Sequence, residues 1–192
     1  MPAEEQAPGG VETSSETVQS AGSNRMLRFA PSQASLAGLS VTIGVLDQVT
    51  KAIVRATLPL HHSVPVIPGF LDITHVRNTG AAFGLLNAAD IPFKPALMTM
   101  IALAALIAIG VYALRAGTHQ PFARVGLAFV VGGAVGNLID RVSVGYVLDF
   151  VDVYWRGWHF WAFNVADAAI SVGASLLILD MLLVNRHVSS AA

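Results

Sequence analysis

Two carboxylates frame the stretch Gly145–Asp167, which reads GYVLDFVDVYWRGWHFWAFNVAD. Asp149 lies just outside an apolar run that reads as a membrane span, and Asp167 lies just inside it. An ionisable side chain within a span costs about 2.5–3.5 kcal/mol on insertion scales, so it marks a functional position. Two acids at one site cannot both ionise easily. Like charge raises one pKa, and the pair shares a proton. One member can then deprotonate a water while the other protonates a carbonyl oxygen or a leaving nitrogen. That is aspartic-protease chemistry, and it needs no metal, no cysteine and no activated serine. Acids also pair by chance near a membrane surface, so spacing alone leaves a bland reading open.

The elements that must position these acids follow from composition. Hydrophobic residues make up 54% of the 192, and only 12% are charged, about half the share of a globular domain. The apolar residues come in four long blocks, so an all-α membrane protein with four transmembrane helices is expected. The net charge of −1 argues against a nucleic-acid partner, which calls for a basic patch. With no cysteine, disulfides and thiolate chemistry are excluded. The blocks are Leu36–Leu58, Phe93–Leu114, Phe122–Ile139 and Trp161–Val184. The second is almost purely aliphatic and reads as lipid-facing. The third carries Gly126, Gly132, Gly133 and Gly136 and reads as the central packed helix, because small residues let backbones approach in lipid. Residues 1–30 are read as a disordered polar extension, with four glutamates and few apolar residues before Ser23, and residues 31–192 as one membrane domain.

An even number of spans puts both termini on one side. Arg25, Arg28, Arg115, Arg124 and Arg186 lie on that side, against Arg77, Lys94, Arg141 and Arg156 on the other. This slight excess places both termini in the cytoplasm. The two longer connections then face outward. In the first, Pro59, Pro65 and Pro68 break any helix, and Phe70–Asn78 alternates as a half-buried strand does. Trp155, Trp158 and Trp161, with Tyr146 and Tyr154, fall where an interfacial aromatic belt would lie.

Depth then brings polar groups together. Counted from Trp161, Asp167 lies about 9 Å below the outer edge, and Lys51 lies about 10 Å below Leu58. Asn164 is one turn above Asp167, Asn137 and Arg141 close the third span, and Asp47 is one turn from Lys51. Each has an ordinary alternative. Asp47 and Lys51 can be a structural ion pair, Arg141 can snorkel to headgroups, and Asn137 and Asn164 can be interhelical hydrogen bonds. Asp140 reads as solvated, Asp152 as solvated or structural, Asp180 as interfacial, and His61–His62 as a solvated loop pair rather than a metal site. Asp167 needs a partner, with Asp149, Lys51 and Arg141 as candidates. A transporter would need a polar path through the second span, which past Lys94 at its outer end has no charged group. A lipid-modifying transferase would want an acid cluster, and an intramembrane serine protease would want a histidine beside Ser171; the sequence offers neither.

Five blocks carry a resemblance: DQVTK (Asp47–Lys51), RNTGAAFGLL (Arg77–Leu86), GGAVGNLIDR (Gly132–Arg141), GYVLDF (Gly145–Phe150) and FNVADAAI (Phe163–Ile170). In this order they resemble lipoprotein signal peptidase, the signal peptidase II family of bacterial membrane aspartyl proteases. The resemblance implies Asp149 and Asp167 as the catalytic dyad. It implies that Asn78, Gly80, Asn137, Arg141 and Asn164 shape the site and hold the substrate backbone, and that Asp47 and Lys51 are mainly structural. It implies a diacylglyceryl prolipoprotein substrate, cut just before the lipidated cysteine. It also implies membrane lipid as surroundings, inhibition by globomycin, and a small extracytoplasmic β-cradle formed by the outward loop. No cofactor, metal or nucleic acid is expected, and a monomer in the bacterial inner membrane is.

Overall fold

The computed structural model describes residues 31–80, 91–115 and 120–189. The extension 1–30, the end of the RNTGAAFGLL block, and the side chains of Arg115 and Arg186 lie outside the described residues. The element order is α1 (Gln33–Thr57), β1 (Ser63–Ile67), β2 (Leu71–Asn78), α2 (Lys94–Arg115), α3 (Pro121–Val144), β3 (Val147–Trp155), β4 (Trp158–His159) and α4 (Val165–Ser189). All four helices are long and apolar enough to cross a membrane, as four apolar blocks require.

α3 is the packed centre, and its glycines explain why. A Cβ at Gly126 would meet Gly173 O at 2.7 Å, and one at Gly133 would collide with Ala166 O, both on α4. A Cβ at Gly132 would meet Ser40 O at 2.7 Å, and one at Gly136 would meet Asp47 Oδ2 at 2.6 Å, both on α1. α3 therefore presents one bare stripe to α4 and another to α1, and dispersion between close backbones holds the bundle. α2 by contrast leaves Leu97, Met100, Ile101, Leu103 and Ile107 exposed, as a lipid-facing helix does. Gly133→Ala should cost about 1–3 kcal/mol by overpacking. Because the clash falls on the carbonyl just before Asp167, cleavage activity should fall with it. A lowered melting temperature in detergent, followed by size-exclusion chromatography, checks this.

A four-stranded antiparallel sheet runs in the order β1-β2-β3-β4. The expected strand is present as β2, but three more strands accompany it. Pro65 sits in β1, where an edge strand tolerates a missing N–H. β3 and β4 are joined by Arg156 (φ 48°) and Gly157 (φ 82°), the two positive-φ residues of a tight hairpin turn. The Asp149–Asp167 stretch thus runs through a strand and a tight hairpin before it reaches the last helix.

The second correction concerns the fourth span. α4 begins at Val165, not Trp161. Phe163 instead bridges back to Val151, with Val151 N donating to Phe163 O (2.8 Å) and Phe163 N to Val151 O (3.1 Å). Asp167 therefore stands in the first turn of its helix, not six residues below its start. α3 likewise runs on to Val144 and stops at Gly145, whose φ of 79° is the left-handed C-cap that glycine adopts without strain.

Candidate active site

The doubling-back of the hairpin decides the site. β3 carries Asp149 opposite Val76 of β2, and the Val151–Phe163 bridge sets Asn164 beside it. Asn164 Nδ2 donates to Asp149 Oδ1 at 2.7 Å, and Asn164 N donates to Asp167 Oδ2 at 3.3 Å. One asparagine thereby touches both carboxylates. Asn164 is also the cap of α4: Asp167 N donates to Asn164 Oδ1 at 2.9 Å. The two side chains satisfy each other's backbone N–H groups in the reciprocal pattern of a capping box. The sequence expectation placed Asn164 and Asp167 on one helix face. The real relation is cap and third helical residue, which needs the same three-residue spacing.

Each acid has a second amide donor. Asn78 Nδ2 donates to Asp149 Oδ2 (3.1 Å), and Asn137 Nδ2 to Asp167 Oδ1 (2.8 Å). Gly80 N closes a local turn on Asn78 Oδ1 (3.0 Å), and Arg141 Nη2 donates to Gly80 O (2.8 Å). Asn78, Gly80, Asn137, Arg141 and Asn164 thus all converge on the dyad or its wall. Asp149 is 3% exposed. Burial first, and the Asp167 charge second, push its carboxyl up to about 7, against hydrogen bonds from Asn78 and Asn164 and the Lys51 charge, which lower it. A carboxyl held there can carry a proton at neutral pH.

Beneath the pair lies a buried charge cluster. Lys51 is fully buried, and its ammonium sits 2.8 Å from Asp47 Oδ2, 3.0 Å from Asp140 Oδ2 and 2.9 Å from Asn137 Oδ1. All three N–H donors are engaged, so Lys51 partners neither dyad acid directly. Arg55 approaches Asp140 Oδ1 at 3.5 Å, so two cations balance two anions. The carboxylates also reach outward. Asp47 Oδ1 accepts from Ala166 N (3.0 Å), and Asp140 Oδ2 accepts from Leu148 N (3.1 Å). Each thus holds the backbone of the residue just before a dyad acid.

A family model described as Signal peptidase (SPase) II matches residues 39–183. The chain belongs to this family. A lipoprotein signal peptidase of Maridesulfovibrio salexigens is 49% identical over 146 residues, covering 76% of this chain and 94% of the relative. One of Geobacter metallireducens is 47% identical over 145 residues, covering 76% and 88%. A bacterial membrane enzyme solved by the in meso method matches with a TM-score of 0.71 at 33% identity, over 78% of this chain and 94% of that one. The chain is accordingly a membrane peptidase.

One sequence expectation for this peptidase needs correcting. Asp140 is 1% exposed and paired, not solvated. Asp180 is buried, and its Oδ1 accepts from Ala123 N at 3.4 Å near the start of α3. Asp152, expected as solvated or structural, is partly buried and paired with His159 Nδ1 at 3.0 Å across the hairpin, a structural contact. The spacing of Asp140 to Arg141 and Asn137 pointed to the right helix end. No sequence signal tells a buried acid there from a solvated one. His61 and His62 are exposed, and no metal-binding group of acids or histidines occurs among the described residues.

Proposed function

We propose that the chain is an aspartic endopeptidase that removes the signal peptide from diacylglyceryl-modified prolipoproteins, cutting just before the lipidated cysteine, with Asp149 and Asp167 as the dyad. The observation that carries this reading is that Asn164 holds both carboxylates while Asp149 is kept protonatable near neutral pH. The deprotonated member of the pair takes a proton from a water, whose oxygen bonds to the scissile carbonyl carbon. The other member gives its proton to the carbonyl oxygen. Collapse of the tetrahedral species breaks the C–N bond, the cysteine nitrogen takes a proton, and the dyad again holds one.

Asn78, Gly80, Asn137, Arg141 and Asn164 would shape the site and present the substrate backbone to that water. The lipid chains of the substrate stay in the bilayer, so the scissile bond lies near the interface. A dyad in the first turn of α4 meets it there. On this reading both termini are cytoplasmic in a bacterial inner membrane, the sheet rests on the outer surface as a cradle, and the dyad lies near the periplasmic face.

The test is cleavage of a synthetic diacylglyceryl prolipopeptide by the purified chain. We expect a single product beginning at the lipidated cysteine, inhibition by globomycin and no effect of EDTA. Cleavage elsewhere, or loss of activity on chelation, would overturn the reading. The pH profile follows from Asp149. As pH rises through about 7 the carboxyl ionises and the pair loses its shared proton, so no general acid remains. Log kcat/KM, which reports the free enzyme, should fall with a slope of −1 above that point. A profile flat to pH 9 would contradict it.

A further inference from the structure

At the end of the bundle away from the dyad, α1, α2 and α3 enclose a cleft of about 200 Å³, lined by Gln33, Ala37, Ser40, Ala113, Arg124 and Ala128 among others. Arg124 is 8% exposed. Its guanidinium makes no hydrogen bond or ion pair with any described residue; Asp47, Asp140 and Asp152 are paired with Lys51, Arg55 and His159 instead. Asp180, the buried acid near the start of α3, is turned to Ala123 N instead. The helix does not compensate either. Arg124 lies in the first turn of α3, where the helix dipole is positive and a cation is disfavoured. A largely buried arginine in a membrane-spanning helix, opening onto the cleft with no anion in contact and an adverse dipole, calls for an anion from outside the fold. Asn137 at the dyad is 13 residues further along α3, so the cleft lies about 20 Å from the dyad, near the opposite membrane face. At that depth the available anion is a phospholipid phosphate, and basic pockets between helices are where such headgroups lodge.

We propose that the cleft between α1, α2 and α3 binds the headgroup of an anionic phospholipid, with Arg124 as the residue that recognises the phosphate. The acyl chains lie against the apolar outer faces of α1 and α2. Gln33, at the mouth, is placed to donate a further hydrogen bond. On the topology proposed above this site faces the cytoplasmic leaflet.

The experiment is native mass spectrometry of the full-length protein released from detergent with dioleoylphosphatidylglycerol, dioleoylphosphatidylcholine or inorganic phosphate. We expect one phosphatidylglycerol retained per chain, in preference to phosphatidylcholine, and about tenfold weaker retention in Arg124→Gln, the loss of roughly one charged contact. Ala37→Phe, which fills the cleft and keeps the charge, should weaken it as much and serves if Arg124→Gln does not fold. Equal retention of the two lipids, or wild-type retention by either folded variant, overturns the proposal. Inorganic phosphate displacing the lipid at millimolar concentration would make the site one for free phosphate and overturn the lipid source. Retention that rises tenfold when Glu4, Glu5, Glu12 and Glu16 are all changed to Gln would show the chain's own acidic extension to be the occupant, and would also overturn it.

Discussion

Asp149→Asn and Asp167→Asn are each expected to lower kcat/KM for prolipopeptide cleavage by about 10³-fold or more, the span of general acid–base catalysis. Neither variant can pass a proton between water and the leaving group, whatever remains of its geometry. The cost to folding is small by comparison. Asparagine at 167 can still accept from Asn164 N, but its amide then faces the Asn137 Nδ2 that now donates at 2.8 Å. One donor meets another, and about 1 kcal/mol is lost. Asparagine at 149 meets the same conflict with Asn78 or Asn164. Both variants should therefore insert, elute as the wild type does and still bind globomycin. Asp152→Asn is the internal control. Only three residues from Asp149, it is paired with His159, and its variant should retain activity within about threefold, less than a single hydrogen bond is worth. Retention of a tenth of wild-type turnover by either dyad variant would remove that acid from the mechanism.

Lys51→Met should produce the largest loss of stability of any single change in the chain. Methionine removes the one ammonium that faces Asp47 and Asp140 together and leaves two buried carboxylates to repel each other. Breaking a buried pair in this way costs about 3–5 kcal/mol, because Asp47 is left without a counter-charge and Asp140 with only the more distant Arg55. For a protein of this size that is roughly 10 °C in melting temperature. The consequence reaches the site by two routes. Asp47 holds Ala166 N and Asp140 holds Leu148 N, so both dyad acids lose the anchor of the residue before them. What folds should therefore show a fall in kcat greater than its rise in KM. Asp47→Asn should cost less, since Lys51 keeps Asp140. A Lys51→Met protein that melts within about 3 °C of wild type would mean that the ammonium is not what holds the two carboxylates.

Much of this was legible beforehand, and the reason is local. A membrane span is a run of apolar residues long enough to cross about 30 Å, so its existence depends on nothing elsewhere in the chain. Four runs gave four helices, and the glycines of one gave the packed centre. The dyad candidates were legible for the same reason. A carboxylate beside or inside such a run stands out against its neighbours, and the blocks around it carry the family pattern. Asn137 and Arg141 could be gathered by counting 1.5 Å per residue along the third span, whereas the same count for Asn164 rested on a helix that in fact begins after it.

What the sequence determined by itself was thus the solvent of the protein, its span count and the acids proposed to react. Their arrangement belonged to the tertiary structure. Asp149 and Asp167 are 18 residues apart in sequence and meet at Asn164 only because β3 turns at Arg156–Gly157 and Phe163 returns to Val151. A strand's hydrogen bonds go to a partner chosen by the whole fold, so β1, β3 and β4 had no readable signal of the kind a helix carries. Whether an acid is solvated or buried is decided in the same way. Asp140 and Asp152 look alike beside their neighbours, yet α1 brings Lys51 and Arg55 to the first, while the hairpin brings His159 to the second. A buried charge is stable only when another segment supplies its counter-charge, and which segment does so can be read only once the helices are packed.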